Sequence, residues 1–292
     1  MLPSARIGPV RGPAPPTTGA WLGAYVQPTS YGEAGDIKAF VGLEHAVHHR
    51  LAVVHEYYRW RAPFPDSVAR WAVSSGHVLL LSWAATDTSA IVSGRYDSLI
   101  EHRATSLRAL GAPVLLEWRW EMDRTSLRSE IHSPAMFVAA WRHIHDIFQR
   151  EGARNVGWVW CPTAAGFDLG RAAAYYPGDR YVDWLCVDAY PGPSYESLPN
   201  ILAPFLSWAE HHQKPVMVGE FAARQDSSGQ QADWLSGLAV AARRMPSVKA
   251  YVYFDATSGS SAHRADLALD RASLSALARL AADRYFESGR VK

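Results

Sequence analysis

Eight short apolar runs, each followed by a segment of helical spacing, constrain this 292-residue chain more than any other feature. The runs fall at 21–26, 51–57, 77–83, 113–121, 155–160, 183–190, 215–220 and 249–255. They are rich in Val, Leu, Trp and Tyr, and most are too continuous for strands with one wet face. Parallel strands covered on both faces are expected to look like this. Helical patterns lie between them at 36–49, 66–75, 96–110, 134–151, 198–212, 230–245 and 273–286, with a short, poorly marked one around 170–176. Stop and start signals sharpen several of these. Gly111 ends 96–110, and Ser133-Pro134 opens 134–151 as N-cap and first-turn proline, with Gly152 as its terminator. Eight alternations favour a closed (β/α)8 barrel, which needs about 250 residues, over an open doubly wound sheet. An open sheet with a phosphate site would carry a glycine-rich turn after its first strand, and QPTSYGEAGD is not one.

Composition excludes several functions. Lys and Arg number 29 against 28 Asp and Glu, a net charge of +1, so neither nucleic acid nor an anionic membrane surface is an expected partner. No apolar run reaches the about 18 residues that a membrane span needs. The chain is expected to act as a monomer. Most of the 12 Trp and 13 Tyr are expected in the core, and such rings also stack on sugar faces. Cys161 and Cys186 make no disulfide framework and read as two buried free thiols. Residues 1–20 are rich in Pro, Gly and Ala and lack the apolar stretch of a signal peptide. They read as an extended tail before a single domain at 21–292. An extracellular or envelope location would then require a leader trimmed from this chain or another export route.

Barrel enzymes carry their reactive groups at the C-terminal ends of strands. The fourth run ends in Arg119-Trp120-Glu121-Met122-Asp123 and the seventh in Gly219-Glu220-Phe221. Two acids across a barrel mouth suit glycoside cleavage: one protonated to serve the leaving oxygen, one ionised to attack the anomeric carbon. The same pattern also fits a metal site, a general base, or two buried acids each paired with arginine.

The wording of these runs resembles glycoside hydrolase family 26. Pro113-Val-Leu-Leu-Glu-Trp-Arg-Trp-Glu121-Met-Asp is similar to that family's P-V-L-L-R-x-x-H-E-M-N strand. Stretches 137–148, 155–162, 175–190, 214–221 and 248–255 resemble its next helix and its fifth to eighth strands, so the likeness covers most of 20–255. The resemblance implies a retaining endo-β-glycanase acting on mannan, glucan or a variant bacterial glycan, without obligatory metal or cofactor. It makes Glu121 the acid/base, Glu220 the nucleophile, and Tyr190 the residue that orients the nucleophile, with Trp160 lining the cleft.

The chain departs from the family where the substrate sits. Trp120 replaces a histidine, Asp123 an asparagine, and Glu117 an arginine, while RTSLRSEIHS stands in place of the mannan-shaping W-x-P-W region. On strand periodicity Glu117, Arg119 and Glu121 share a face, so Arg119 is expected to pair with Glu117 inside the barrel. Tyr57, Arg59, Trp83, Phe254 and Asp188 stand at other strand ends and are candidate sugar contacts. His45 and His49 have i, i+4 spacing but no H-E-x-x-H, and read as solvated. No G-x-S-x-G elbow or phosphate cradle occurs. Two rivals share this barrel: an exo-acting glycosidase or transglycosylase on a wall glycan, and a non-catalytic glycan-binding barrel.

Overall fold

The computed structural model describes residues 11–30, 32–225, 229–257 and 267–287. Its centre is a closed eight-stranded barrel: β1 (Trp21–Val26), β2 (Val53–Tyr58), β3 (Val78–Trp83), β4 (Val114–Trp118), β5 (Val156–Trp160), β6 (Trp184–Ala189), β7 (Val216–Phe221) and β8 (Val248–Asp255). Every strand runs parallel to its neighbours, and β8 closes on β1 over six residue pairs. The expected (β/α)8 architecture is the one observed. Strand alternation sorts the apolar side chains into two shells. Trp21, Val53, Leu80, Leu115, Val159 and Met217 fill the barrel, while Leu22, Val54, Leu81, Leu116 and Trp160 face the helices. Trp21 stacks on Trp184 at 5.4 Å within the inner shell.

The helices follow their caps. Asp66 accepts the Ala69 N–H at the start of Ser67–Ser74, and the Ser133 hydroxyl accepts the Met136 N–H at the start of Pro134–Arg150. Gly111 closes Asp97–Leu110 in the left-handed conformation. The helix expected at 230–245 is instead two, Gln230–Ser236 and Leu238–Arg244, interrupted at Gly237, a poor helix former. The stretch around 170–176 holds a helix at Ala164–Asp168 and a 3₁₀ turn at Ala172–Tyr175.

Residues 1–10 of the expected tail lie outside the described residues. Residues 11–20 approach the N-terminal ends of the strands. The Arg11 N–H donates to Asp183 Oδ1 at 3.0 Å, and Gly12 lies against Gly157 and the Val114 carbonyl. The cysteines require a correction. Cys161 and Cys186 are joined in a disulfide, with Cα atoms 4.3 Å apart. Counting pairs between two strands would have shown it, because β5 and β6 align Trp160 with Leu185 and so bring 161 opposite 186.

A register shift decides where β7 points its side chains. Val187 of β6 pairs with Val218, but the next residue, Asp188, pairs with Glu220, so Gly219 is the extra residue of a bulge. A Cβ on Gly219 would overlap Cys186 Sγ, and Phe221 returns to the outer shell. Gly219→Ala is therefore expected to destabilise the protein by about 1–3 kcal/mol through overpacking. Gly42, exposed in the helix Glu33–Val47 with open space at its Cβ position, should respond oppositely, gaining about 0.5–1 kcal/mol as Ala. Urea unfolding of both variants checks the pair, and equal effects would refute the bulge argument.

Candidate active site

β4 stops at Trp118, three residues short of Glu121. Arg119 and Glu121 both adopt left-handed backbone, with φ of 49° and 51°, a conformation that costs a non-glycine residue energy unless neighbours impose it. They do so here: Arg119 N–H donates to the Trp83 carbonyl at 2.9 Å and Glu121 N–H to the Cys161 carbonyl at 2.7 Å. Asp123 adds a third tie, accepting the Thr163 N–H at 2.9 Å and its hydroxyl at 2.5 Å. Because the chain has left the strand, period-two counting fails beyond Trp118. Arg119 does not reach Glu117. It pairs with Glu130, Nε to Oε1 at 2.9 Å, and lays its guanidinium over the Trp120 ring at 5.3 Å.

The bulge in β7 delivers Glu220 to the same cleft. Its N–H donates to Asp188 Oδ1 at 2.9 Å. Its carboxylate accepts hydroxyl hydrogen bonds from Tyr57 on Oε1 and from Tyr190 on Oε2, the latter at 2.5 Å. Glu121 instead accepts from Arg124 Nη1, three residues on. Both acids line one cleft of about 810 Å³ together with Tyr25, Tyr57, Trp120 and Phe254. Tyr25 stacks on Phe254 at 5.1 Å and meets Tyr57 edge-on at 4.9 Å, and Trp120 also meets Tyr57 at 4.9 Å.

The electrostatics follow from burial. Burial pushes the Glu220 carboxyl up to about 7, the Glu121 charge pushes the same way, and His55 and the two tyrosine hydroxyls oppose both. Glu121 is also raised by burial, against the pull of Arg124. Two acids that repel in a dry site lose their protons as a pair, in two separated steps. Asp188 is driven well above the usual carboxylate range, first by burial and then by Glu220 and Glu117. Beneath lies a polar floor that the strand pattern did not announce. The Ser82 hydroxyl donates to Glu117 Oε2, and His55 Nε2 sits 2.7 Å from that hydroxyl. Glu117, Cys161, Cys186 and Asp188 bring donor atoms within 4.8 Å of one another, the one grouping of metal-ligand type among the described residues. With the sulfurs bonded to each other, its two softest donors are not thiolates.

The remaining candidates divide by parity. Tyr57, Trp120, Tyr190 and Phe254 line the cleft, and Asp188 lies under it, buried. Trp83 and Trp160 do not line it. Each follows an inward-facing residue (Ser82, Val159) and so points outward. Trp83 stacks on Trp60 at 4.4 Å, and Trp160 donates its indole N–H to the Tyr175 carbonyl. Arg59 lies beyond the end of β2, exposed and away from the cleft lining. Sequence reasoning missed Tyr25, Arg124 and Arg224. Tyr25 was within reach of parity, two residues beyond Gly23 and four beyond Trp21. The arginines sit on loops, where no periodicity operates.

Residues 100–205 match the model of glycosyl hydrolase family 26. Over 240 residues the chain is 27% identical to endoglucanase H of Acetivibrio thermocellus, covering 75% of this chain and 25% of that protein. Over 137 residues it is 26% identical to a β-1,3-xylanase of an Alcaligenes species, covering 44% and 27%. The chain thus spans about a quarter of the length of the curated relatives it matches. Among solved structures, a family 26 β-mannanase from Bacteroides ovatus superposes with a TM-score of 0.70 at 15% identity, covering 92% of this chain and 90% of that one. A β-mannanase from a symbiotic protist of the termite Reticulitermes speratus gives 0.64 at 15% identity, covering 93% and 94%. Both share the barrel fold.

Two outcomes follow from the charge arrangement. Glu121→Gln removes a repelling charge and should lower the Glu220 titration below about 7, whereas Tyr190→Phe removes a donor and should raise it; carbon NMR of labelled glutamate reads both. The folded value lies above the about 4.3 of an unfolded glutamate, so the stability tied to this group is present below pH 4 and lost as pH rises through about 7. Glu220→Gln should accordingly melt higher than the parent at pH 8 and equally at pH 4, on the order of 1–3 kcal/mol apart at the upper value.

Proposed function

On the premise that this chain is a member of glycosyl hydrolase family 26, we propose that it is a retaining endo-β-glycanase, with 21–292 as its catalytic unit. The observation that carries the reading is the contrast between two acids in one aromatic cleft. Glu220 is gripped by two phenol hydroxyls, Glu121 by one half-exposed guanidinium. A nucleophile must be ionised and aimed, and the two neutral donors aim Glu220 and oppose the burial that raises it, without cancelling its charge. A general acid must give up a proton and take one back, which suits a buried carboxyl that burial raises and whose one side-chain partner, Arg124, is half exposed.

In this reading the Glu220 carboxylate attacks the anomeric carbon while Glu121 passes its proton to the departing glycosidic oxygen. Water then attacks the glycosyl–Glu220 ester, Glu121 takes the water's proton, and Glu220 leaves as carboxylate. The aromatic wall of Tyr25, Trp120 and Phe254 offers faces for sugar rings. Endo action is supported by the endoglucanase and β-mannanase names of the relatives. A polymeric substrate places the enzyme outside the cell or in its envelope. No helix among the described residues is long and apolar enough to cross a membrane.

Glu220→Ala should abolish turnover, and Glu121→Gln should cost about 10²–10⁴-fold in kcat, on whichever of mannan, mixed-linkage glucan or β-1,3-xylan releases reducing ends. Proton NMR of early products should show the β-anomer first. An α-anomer would mean inversion, and undiminished rates in either variant would end the assignment.

A further inference from the structure

The glycanase reading assigns no substrate contact to two arginines of the cleft. Arg124 and Arg224 both line it. The Arg124 side chain is 57% exposed although it is bonded to Glu121. Arg224 is exposed, and its side chain forms no ion pair among the described residues. Its backbone is nevertheless fixed, because its carbonyl accepts the Tyr195 hydroxyl at 2.7 Å. The other polar side chains of the described lining are few. Tyr57 and Tyr190 are committed to Glu220, and Glu121 and Glu220 are the reacting acids. No asparagine, glutamine or aspartate lines the described cleft. Apart from the Tyr25 hydroxyl and the Trp120 indole, what remains among the described lining residues to bind a sugar substituent is a pair of guanidinium groups.

A planar guanidinium is matched in shape and charge to a carboxylate and binds it through two parallel N–H bonds. Neutral hydroxyls offer it no such match. Resting on the glycanase reading, we propose that the substrate is a β-glycan whose sugars carry carboxylates, with Arg224 anchoring one of them and Arg124 transferring from Glu121 to another. The transfer has a chemical consequence. While Arg124 is bonded to Glu121 it favours the ionised form, which cannot act as an acid. A carboxylate of the substrate that draws Arg124 away leaves Glu121 in a buried, aromatic setting where it holds a proton. The anionic substrate thereby completes the acid that cleaves it, and a neutral glycan of the same linkage leaves the pair intact. The arrangement is a specificity device as well as an anchor.

The test compares cellotetraose and mannotetraose with β-1,4-glucuronan and β-1,4-mannuronan tetraoses, using the full chain and its Arg124→Ala, Arg224→Ala and Arg224→Lys variants. The parent should cleave at least one uronate oligosaccharide with a kcat/KM about tenfold or more above its neutral counterpart, the value of a charge-assisted contact. Arg224→Ala should lose that preference through KM, and Arg224→Lys should recover part of it. Arg124→Ala should raise KM on the uronate and raise kcat on the neutral oligosaccharides, and the basic limb of its pH profile on neutral substrate should move to higher pH as Glu121 loses its cationic partner. Equal rates on neutral and acidic oligosaccharides, or a preference that survives both alanine variants, would overturn the proposal. Failure of the underlying reading looks different: no cleavage of any of the four, and no glycosyl mass added to Glu220 by 2-deoxy-2-fluoro glycosyl fluorides of the glucose, mannose and glucuronate series.

Discussion

Glu220 is 6% exposed and sits directly above Asp188, which is 3% exposed, with Glu117 lower still at 1%. Carboxyl groups this deep in a barrel interior lose their water and feel one another through a weakly screening medium. The site resolves this by assigning different partners. Asp188 is driven well above the usual carboxylate range by burial and then by Glu220 and Glu117. Glu117 receives the Ser82 hydroxyl, with His55 behind it. Glu220 alone receives two phenols and a nearby imidazole.

That stack depends on backbone geometry more than on residue choice. A regular β7 would place Gly219 inward and Glu220 outward, into the apolar shell beneath the helices. The bulge opposite Asp188 brings Glu220 inward, and the missing side chain at 219 lets the disulfide sulfur of Cys186 occupy the space. At β4 the equivalent device is a pair of left-handed residues held by carbonyls of β3 and of the turn after β5. Each acid is therefore set by a local departure from strand regularity, anchored to the strand beside it.

This explains which parts of the protein were legible beforehand. The eight strands and most helices follow from apolar runs and caps, since solvent exclusion on both faces dictates continuous Val, Leu and Trp. Glu121 and Glu220 were legible as charges ending such runs. Side-chain direction was legible only while period two held. It would have placed Tyr25 in the cleft and turned Trp83 and Trp160 away from it, had parity been counted from Trp21, Ser82 and Val159. It failed at Arg119, where the chain turns left-handed and the expected bridge to Glu117 becomes one to Glu130. The disulfide was hidden for another reason: 25 residues separate its cysteines, and only the pairing of β5 with β6 brings them opposite. Arg124 and Arg224 belong to loops and had no pattern to betray them.

Trp120 joins these threads. One face of its ring carries the Arg119 guanidinium, and it packs edge-on against Tyr57, whose hydroxyl reaches Glu220. The ring thus connects a cation fixed to Glu130 with the phenol that aims the second acid, at the residue next to the first. The indole adds apolar surface to the wall that both acids share, and a less polar wall strengthens the bond between Arg124 and Glu121. An exposed arginine beside an exposed carboxylate contributes little. Here the carboxylate is buried, and burial pushes Glu121 towards its protonated form while Arg124 pulls the other way.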